Sequence, residues 1–126
     1  MTLRNAHQTT EQDGCIYNRM RAMVGYVSCY GFVYDEQRTL LGYVNQQGHI
    51  RSAHLRTIGH VQAQGMIMDE HWKLIGYVTQ DGVVYEAGDG IIGYVKPCSH
   101  PWPFSLESAA FFLLTALRQE TNSNTS

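Results

Sequence analysis

Proline is scarce in this 126-residue chain, and its three prolines all fall within residues 97–103. That cluster marks the place where regular pairing is broken off and the chain redirected. Charge is sparse as well. Charged residues make up 16%, and 9 Lys and Arg against 11 Asp and Glu leave a net charge of −2 with the histidines neutral. The basic footprint of a nucleic-acid binder is missing, so no nucleic-acid partner is expected. No apolar run approaches the ~18 residues that suggest a membrane-spanning helix. The polar segment Met1 to Asp13 lacks the apolar stretch of a secretory signal, which favours the cytoplasm. Cysteine is limited to Cys15, Cys29 and Cys98. They show no Cys-x-x-Cys spacing for zinc, and an odd number is not a disulfide framework. Neither a Ser-His-Asp nor a Cys-His arrangement has motif support, and no phosphate loop is present. The expectation is a non-enzyme without cofactor or resident metal. At 44% hydrophobic residues, the chain can still bury a core.

What the chain has is glycine in strict register. Gly14, Gly31, Gly48, Gly65 and Gly82 stand 17 residues apart, and Gly25, Gly42, Gly59, Gly76 and Gly93 repeat the interval. Internal repeats of this kind decide the architecture. Cutting at the first series gives five units between residues 14 and 98. The third position is β-branched in each: Ile16, Val33, Ile50, Ile67 and Val84. The fourteenth is always valine: Val27, Val44, Val61, Val78 and Val95. Tyrosine recurs at the thirteenth position, with His60 as the exception. Each unit holds two β-rich runs of strand length separated by turn formers, so one unit is one hairpin. Glycine inside a strand weakens pairing. Its fivefold recurrence leaves two explanations: a close-lying backbone or tyrosine ring, or a shared β-bulge.

A lone hairpin is unstable and needs neighbours. The first and last units keep the common motif and carry no polar cap, so closure into a ring removes the exposed edges. The chain then leaves the ring at Lys96-Pro97-Cys98, because the circle is full. On closure Cys98 is expected near Cys15, with free thiols as the ordinary state.

The tandem Gly-x-Val-Tyr-Asp…Ile-Gly-Tyr-Val hairpin resembles the small prokaryotic β-flower repeat proteins, in particular the five-fold form, over residues 14–98. The resemblance implies hairpins set like petals about a pseudo-five-fold axis, and it carries no catalytic residues onto this sequence. The fold class expected is therefore all-β, with five 17-residue hairpins closed about that axis and a C-terminal α-helix.

The organisation expected is a polar segment at 1–13, the repeat domain at 14–98, a Pro-rich linker at 99–104, a helix at 105–119 and a polar tail at 120–126. Ser105 reads as the helix N-cap. Leu106, Phe111, Phe112, Leu113, Leu114 and Leu117 give the helix an apolar surface broader than the ~100° stripe of a surface helix. Such a helix needs burial on more than one side. It either plugs the ring or assembles with another copy, and self-association through it is the favoured role. Membrane contact is disfavoured, since Arg118 is its lone basic residue. A second expectation is an axial channel lined by the ten recurring Val and Ile residues named above, taking an elongated apolar ligand. A third is an anion or metal site in the divergent third unit, from His49, Arg51, His54, Arg56 and His60, with His54 set beside His71.

Overall fold

The structure is a computed structural model, described here for residues 13–88 and 90–117. Ten strands form the five hairpins: β1 (Gly14–Asn18) with β2 (Met23–Val27), β3 (Val33–Asp35) with β4 (Leu40–Val44), β5 (His49–Ser52) with β6 (Thr57–Gln62), β7 (Met66–Asp69) with β8 (Leu74–Val78), and β9 (Val83–Glu86) with β10 (Ile91–Lys96). Every pairing is between sequence neighbours except the last, β1 with β10, which closes an antiparallel barrel. That seam pairs Cys15 with Lys96, Ile16 with Val95, Tyr17 with Tyr94 and Asn18 with Gly93. Closure is therefore as the repeat predicts. A side chain at Gly14 would strike the Lys96 carbonyl and come within 2.9 Å of the Pro97 Cα, so the departing chain lies directly against the first strand.

Strand periodicity sorts the side chains. Ile16, Val33, Ile50, Ile67 and Val84 point inward and are 0% exposed, with the five recurring valines buried beside them. The tyrosines of the thirteenth position stand on the outer face instead. Tyr26 pairs across the strands with Tyr34, and Tyr77 with Tyr85, whose rings stack at 4.9 Å.

Each hairpin carries the same irregularity. Ile16 pairs with Gly25 but Tyr17 pairs with Met23, so Val24 is an extra residue in its strand. Leu41, Ile58, Ile75 and Ile92 occupy the equivalent place in the other hairpins. A bulge of this kind bends its strand and strengthens the local twist.

The hairpin tips are built alike. The side-chain oxygen of Asn18 accepts from the backbone N–H of Met20 and Ala22, that of Asp35 from Gln37 and Thr39, that of Ser52 from His54 and Arg56, and that of Asp69 from His71 and Lys73. Ser28 and Asn45 do the same in loops between hairpins. One short polar side chain thus satisfies a four-residue turn. The tip geometry forces Arg21, Arg38, Leu55 and Trp72 to positive φ, again 17 residues apart.

The single α-helix among the described residues, α1 (Ser105–Thr115), lies inside the barrel. Phe111 meets Gly59, Phe112 meets Gly42, Leu113 meets Gly93, Leu114 meets Gly76 and Leu117 meets Gly25. Each helix residue turns about 100° from the last, so consecutive side chains reach different petals. A helix apolar all round is one surrounded by protein. Ser105 does not cap it: Phe104 occupies that position at φ 71°, and the Ser105 hydroxyl donates to the Cys29 carbonyl at 3.2 Å. The helix ends at Thr115 with Ala116 as its cap, short of the expected 119, while residues 118 and 119, the tail expected from 120 and the polar segment before Asp13 lie outside the described residues.

Candidate functional site

The helix settles what the barrel interior holds. The ten Val and Ile residues expected to line an open channel pack into one core with Ala109, Ala110, Phe111, Phe112, Leu113, Leu114 and Leu117. The interior is occupied by the chain's own side chains, as is usual for small barrels. The same contacts correct the expectation for the helix: its apolar residues face its own petals, and Leu106 packs at the margin of that core. The first turn carries Glu107, whose carboxyl burial pushes above the usual carboxylate range.

At the end of the barrel where the helix enters, the chain builds a cleft of about 290 Å³. Tyr30, Phe32, Tyr43, Val44, Asn45, Gln46, Trp102 and Pro103 line it, and none of them carries a charge. Tyr30 and Trp102 meet edge to face at 4.7 Å, and Phe32 and Tyr43 lie 5.5 Å apart at a 40° tilt. Tyr30 is 55% exposed, Trp102 47% and Phe32 37%, whereas Phe111 and Phe112 are buried in the same protein. Aromatic rings left open to water at one spot require an explanation that packing does not supply.

The cleft is held by short connections. Cys29 is disulfide-bonded to Cys98, with their Cα atoms 5.6 Å apart. The Trp102 N–H donates to the Cys29 carbonyl at 2.7 Å, and the buried Ser108 hydroxyl donates to the Gly31 carbonyl at 3.0 Å. The loop carrying Tyr30 and Phe32 is thereby fastened to the segment carrying Trp102 and to α1. Sequence reading missed this site, although a signal was present. Tyr30 and Phe32 flank Gly31 where the next units place Gln47 and His49, then Gln64 and Met66, then Asp81 and Val83.

The disulfide also corrects the expectation of free thiols, since Cys98 is bonded to Cys29. Cys15 pairs in register with Lys96 within the seam, and Pro97 turns the chain off the end of β10 before Cys98 is reached. Cys98 therefore arrives at the loop after β2. Cys15 remains a free thiol. It shares a polar cleft of about 250 Å³ with Asp13, Tyr17, Lys96 and Cys98. Its hydrogen bond with Tyr17 raises that phenol above its ordinary range, and the thiol's charge and burial push the same way.

The polar residues of the third unit divide into separate settings. Arg51 lies across from Tyr43, and Arg56 reaches Glu70 of the next hairpin at 3.6 Å, where His71 also approaches at 3.4 Å. His54 sits at the tip, its backbone held by Ser52. The imidazoles in contact are those of His49 and His60, opposite each other in register with ring centres 5.5 Å apart. Trp72 stacks flat on His60 at 3.7 Å. Elsewhere the same tip position sends Arg38 over Tyr26 at 4.0 Å and Arg21 over Tyr94 at 4.2 Å, the latter across the closing seam. Neighbouring petals are thus latched on the outside by cation–π or ring stacking.

Among the described residues no group of three or more His, Cys, Asp or Glu surrounds a metal position. No helix there is long and apolar enough to cross a membrane, which leaves strands unaddressed. Comparison with curated proteins and with solved structures gave no significant match. A model of the 5-fold beta-flower protein family matches residues 2–112, which takes in all five petals and most of the buried helix. Period, closed barrel and family match agree, and the chain belongs to the 5-fold beta-flower protein family.

Proposed function

We propose that this chain is a non-enzymatic interaction module whose contact face is the aromatic cleft of Tyr30, Phe32, Tyr43 and Trp102. The observation that carries the reading is the exposure of Tyr30, Phe32 and Trp102 on an uncharged surface fastened by the Cys29–Cys98 bond. Rings fixed in advance lose little conformational freedom on binding. The occupant is an extended, proline-containing peptide. Aromatic-lined grooves suit proline rings and the preformed extended helix that carries them. A sugar would need several free polar groups, yet the Asn45 side-chain oxygen is already taken by the N–H groups of Gln47 and His49. A charged ligand would find no counter-charge among the lining residues.

The test is titration of isotope-labelled protein with a proline-rich peptide and with an alanine-substituted version of it. Saturable shifts confined to residues around Tyr30 and Trp102, and abolished in Trp102→Ala, are expected. Equal response to both peptides, or shifts elsewhere on the barrel, overturns the proposal.

A further inference from the structure

His60 breaks the repeat in a particular way. Four units carry tyrosine at its position, whose phenol stands at the surface. The His60 ring is only 8% exposed, and its Nδ1 is buried with no hydrogen-bond partner. The Glu70 backbone lies beside the imidazole and favours its protonated form, against burial and His49. A buried ring nitrogen left without a protein partner is a position that an ion can fill.

The second imidazole is in reach. An ion about 2.0–2.1 Å from one nitrogen of each ring sets the two ring centres roughly 5–6 Å apart. The centres of His49 and His60 are 5.5 Å apart, with the rings at 89° to each other. Trp72 covers a face of His60, but a lone pair lies in the ring plane, so the stack does not compete with an ion. Burial and then the neighbouring His49 lower the proton affinity of His60, against the Glu70 backbone and Asp69, and so favour its neutral form. The groups around the pair are thus His49 on β5, Asp69 and Glu70 at the tip between β7 and β8, and Trp72. The Asp69 charge favours a cation there, while the Glu70 carboxylate is engaged by Arg56 and His71.

From this geometry we infer that His49 and His60 form a two-imidazole site for a late first-row divalent cation. Imidazole suits copper(II), nickel(II) and zinc(II), with copper(II) bound most tightly of these. Two protein ligands leave the remaining coordination positions to water, so the ion stays exchangeable.

The experiment is calorimetric titration of untagged full-length protein with zinc(II) and with copper(II), alongside nitrogen-15 spectra of the histidine rings. His60→Tyr restores the residue of the other four units and is expected to fold; His49→Ala tests the partner ring independently. One equivalent of metal should bind the parent protein at least tenfold more tightly than either variant, with the Nδ1 resonance of His60 moving on addition. His54→Ala with His71→Ala should bind like the parent. Absence of binding to the parent protein, or equal binding to His60→Tyr, overturns the inference, as does loss of binding in the His54→Ala, His71→Ala protein alone.

Discussion

Phe111 stands where a side chain at Gly59 would have to go. The relation is repeated in each petal with a different helix residue, so strand glycine and helix side chain form five matched pairs around one core. A single methyl added at Gly59 meets a ring that cannot fold away. Overpacking of this kind costs about 1–3 kcal/mol. Gly59→Ala should lower stability by that amount in denaturant unfolding. Combining it with Phe111→Leu should cost less than the sum of the two single changes, because the residues share one volume. Additive losses would show that they do not.

The Cys29–Cys98 bond spans 69 residues of sequence. Restricting a loop of that length in the unfolded chain is worth about 4 kcal/mol on the entropic account. Cys29→Ala with Cys98→Ala, or treatment with a strong reductant, should lower the unfolding midpoint accordingly. The Tyr30–Trp102 contact should loosen first, seen as a change in tryptophan emission. An unchanged midpoint under reductant would mean the bond contributes nothing.

His60 makes stability depend on pH. Its folded proton affinity is lowered, chiefly by burial and then by His49. The unfolded chain therefore binds the proton first, and stability falls with acid. The contribution of neutral His60 is complete above about pH 6.5, the ordinary histidine value, and is lost as pH drops through the folded value. His60→Tyr should flatten this part of the stability profile between neutral and mildly acidic pH. A variant with the same slope as the parent would contradict the assignment.

Leu55 is 66% exposed and sits at φ 68°. A branched side chain in the left-handed region costs roughly 1–2 kcal/mol, which glycine avoids at some expense in unfolded-chain entropy. Leu55→Gly should raise stability by about 0.5–1 kcal/mol. The same change at Arg38 should gain less, because it also removes the guanidinium from the face of Tyr26. A destabilised Leu55→Gly protein would place an unrecognised contact at that tip.

Much of this architecture is legible in the chain because a 17-residue period forces equivalent residues into equivalent places. Hairpins, closure and the inward Ile16 and Val84 follow from that alone, while the burial of the helix on more than one side follows from the breadth of its own apolar surface. The period is silent on contacts made once. Gly42 and Phe112 are 70 positions apart in a segment with no repeat, so the ring over the glycine looked like a neighbouring tyrosine. Counting by units carries Cys98 to Cys15, and the two do line one cleft, but its disulfide partner is Cys29, on a loop that the period does not single out. The aromatic cleft escaped because Tyr30 and Phe32 are departures from the repeat, and pattern reading rewards what recurs. His49 and His60 belonged to the suspected polar cluster, but only the strand register singles out those two as partners.

Since the helix follows the petals along the chain, every hairpin emerges from the ribosome before the element that fills the hub. Until residues 111–117 arrive, the five strand glycines lack the side chains they pack against. Completion of the hub therefore waits on the last turns of the helix, whatever order the petals form in.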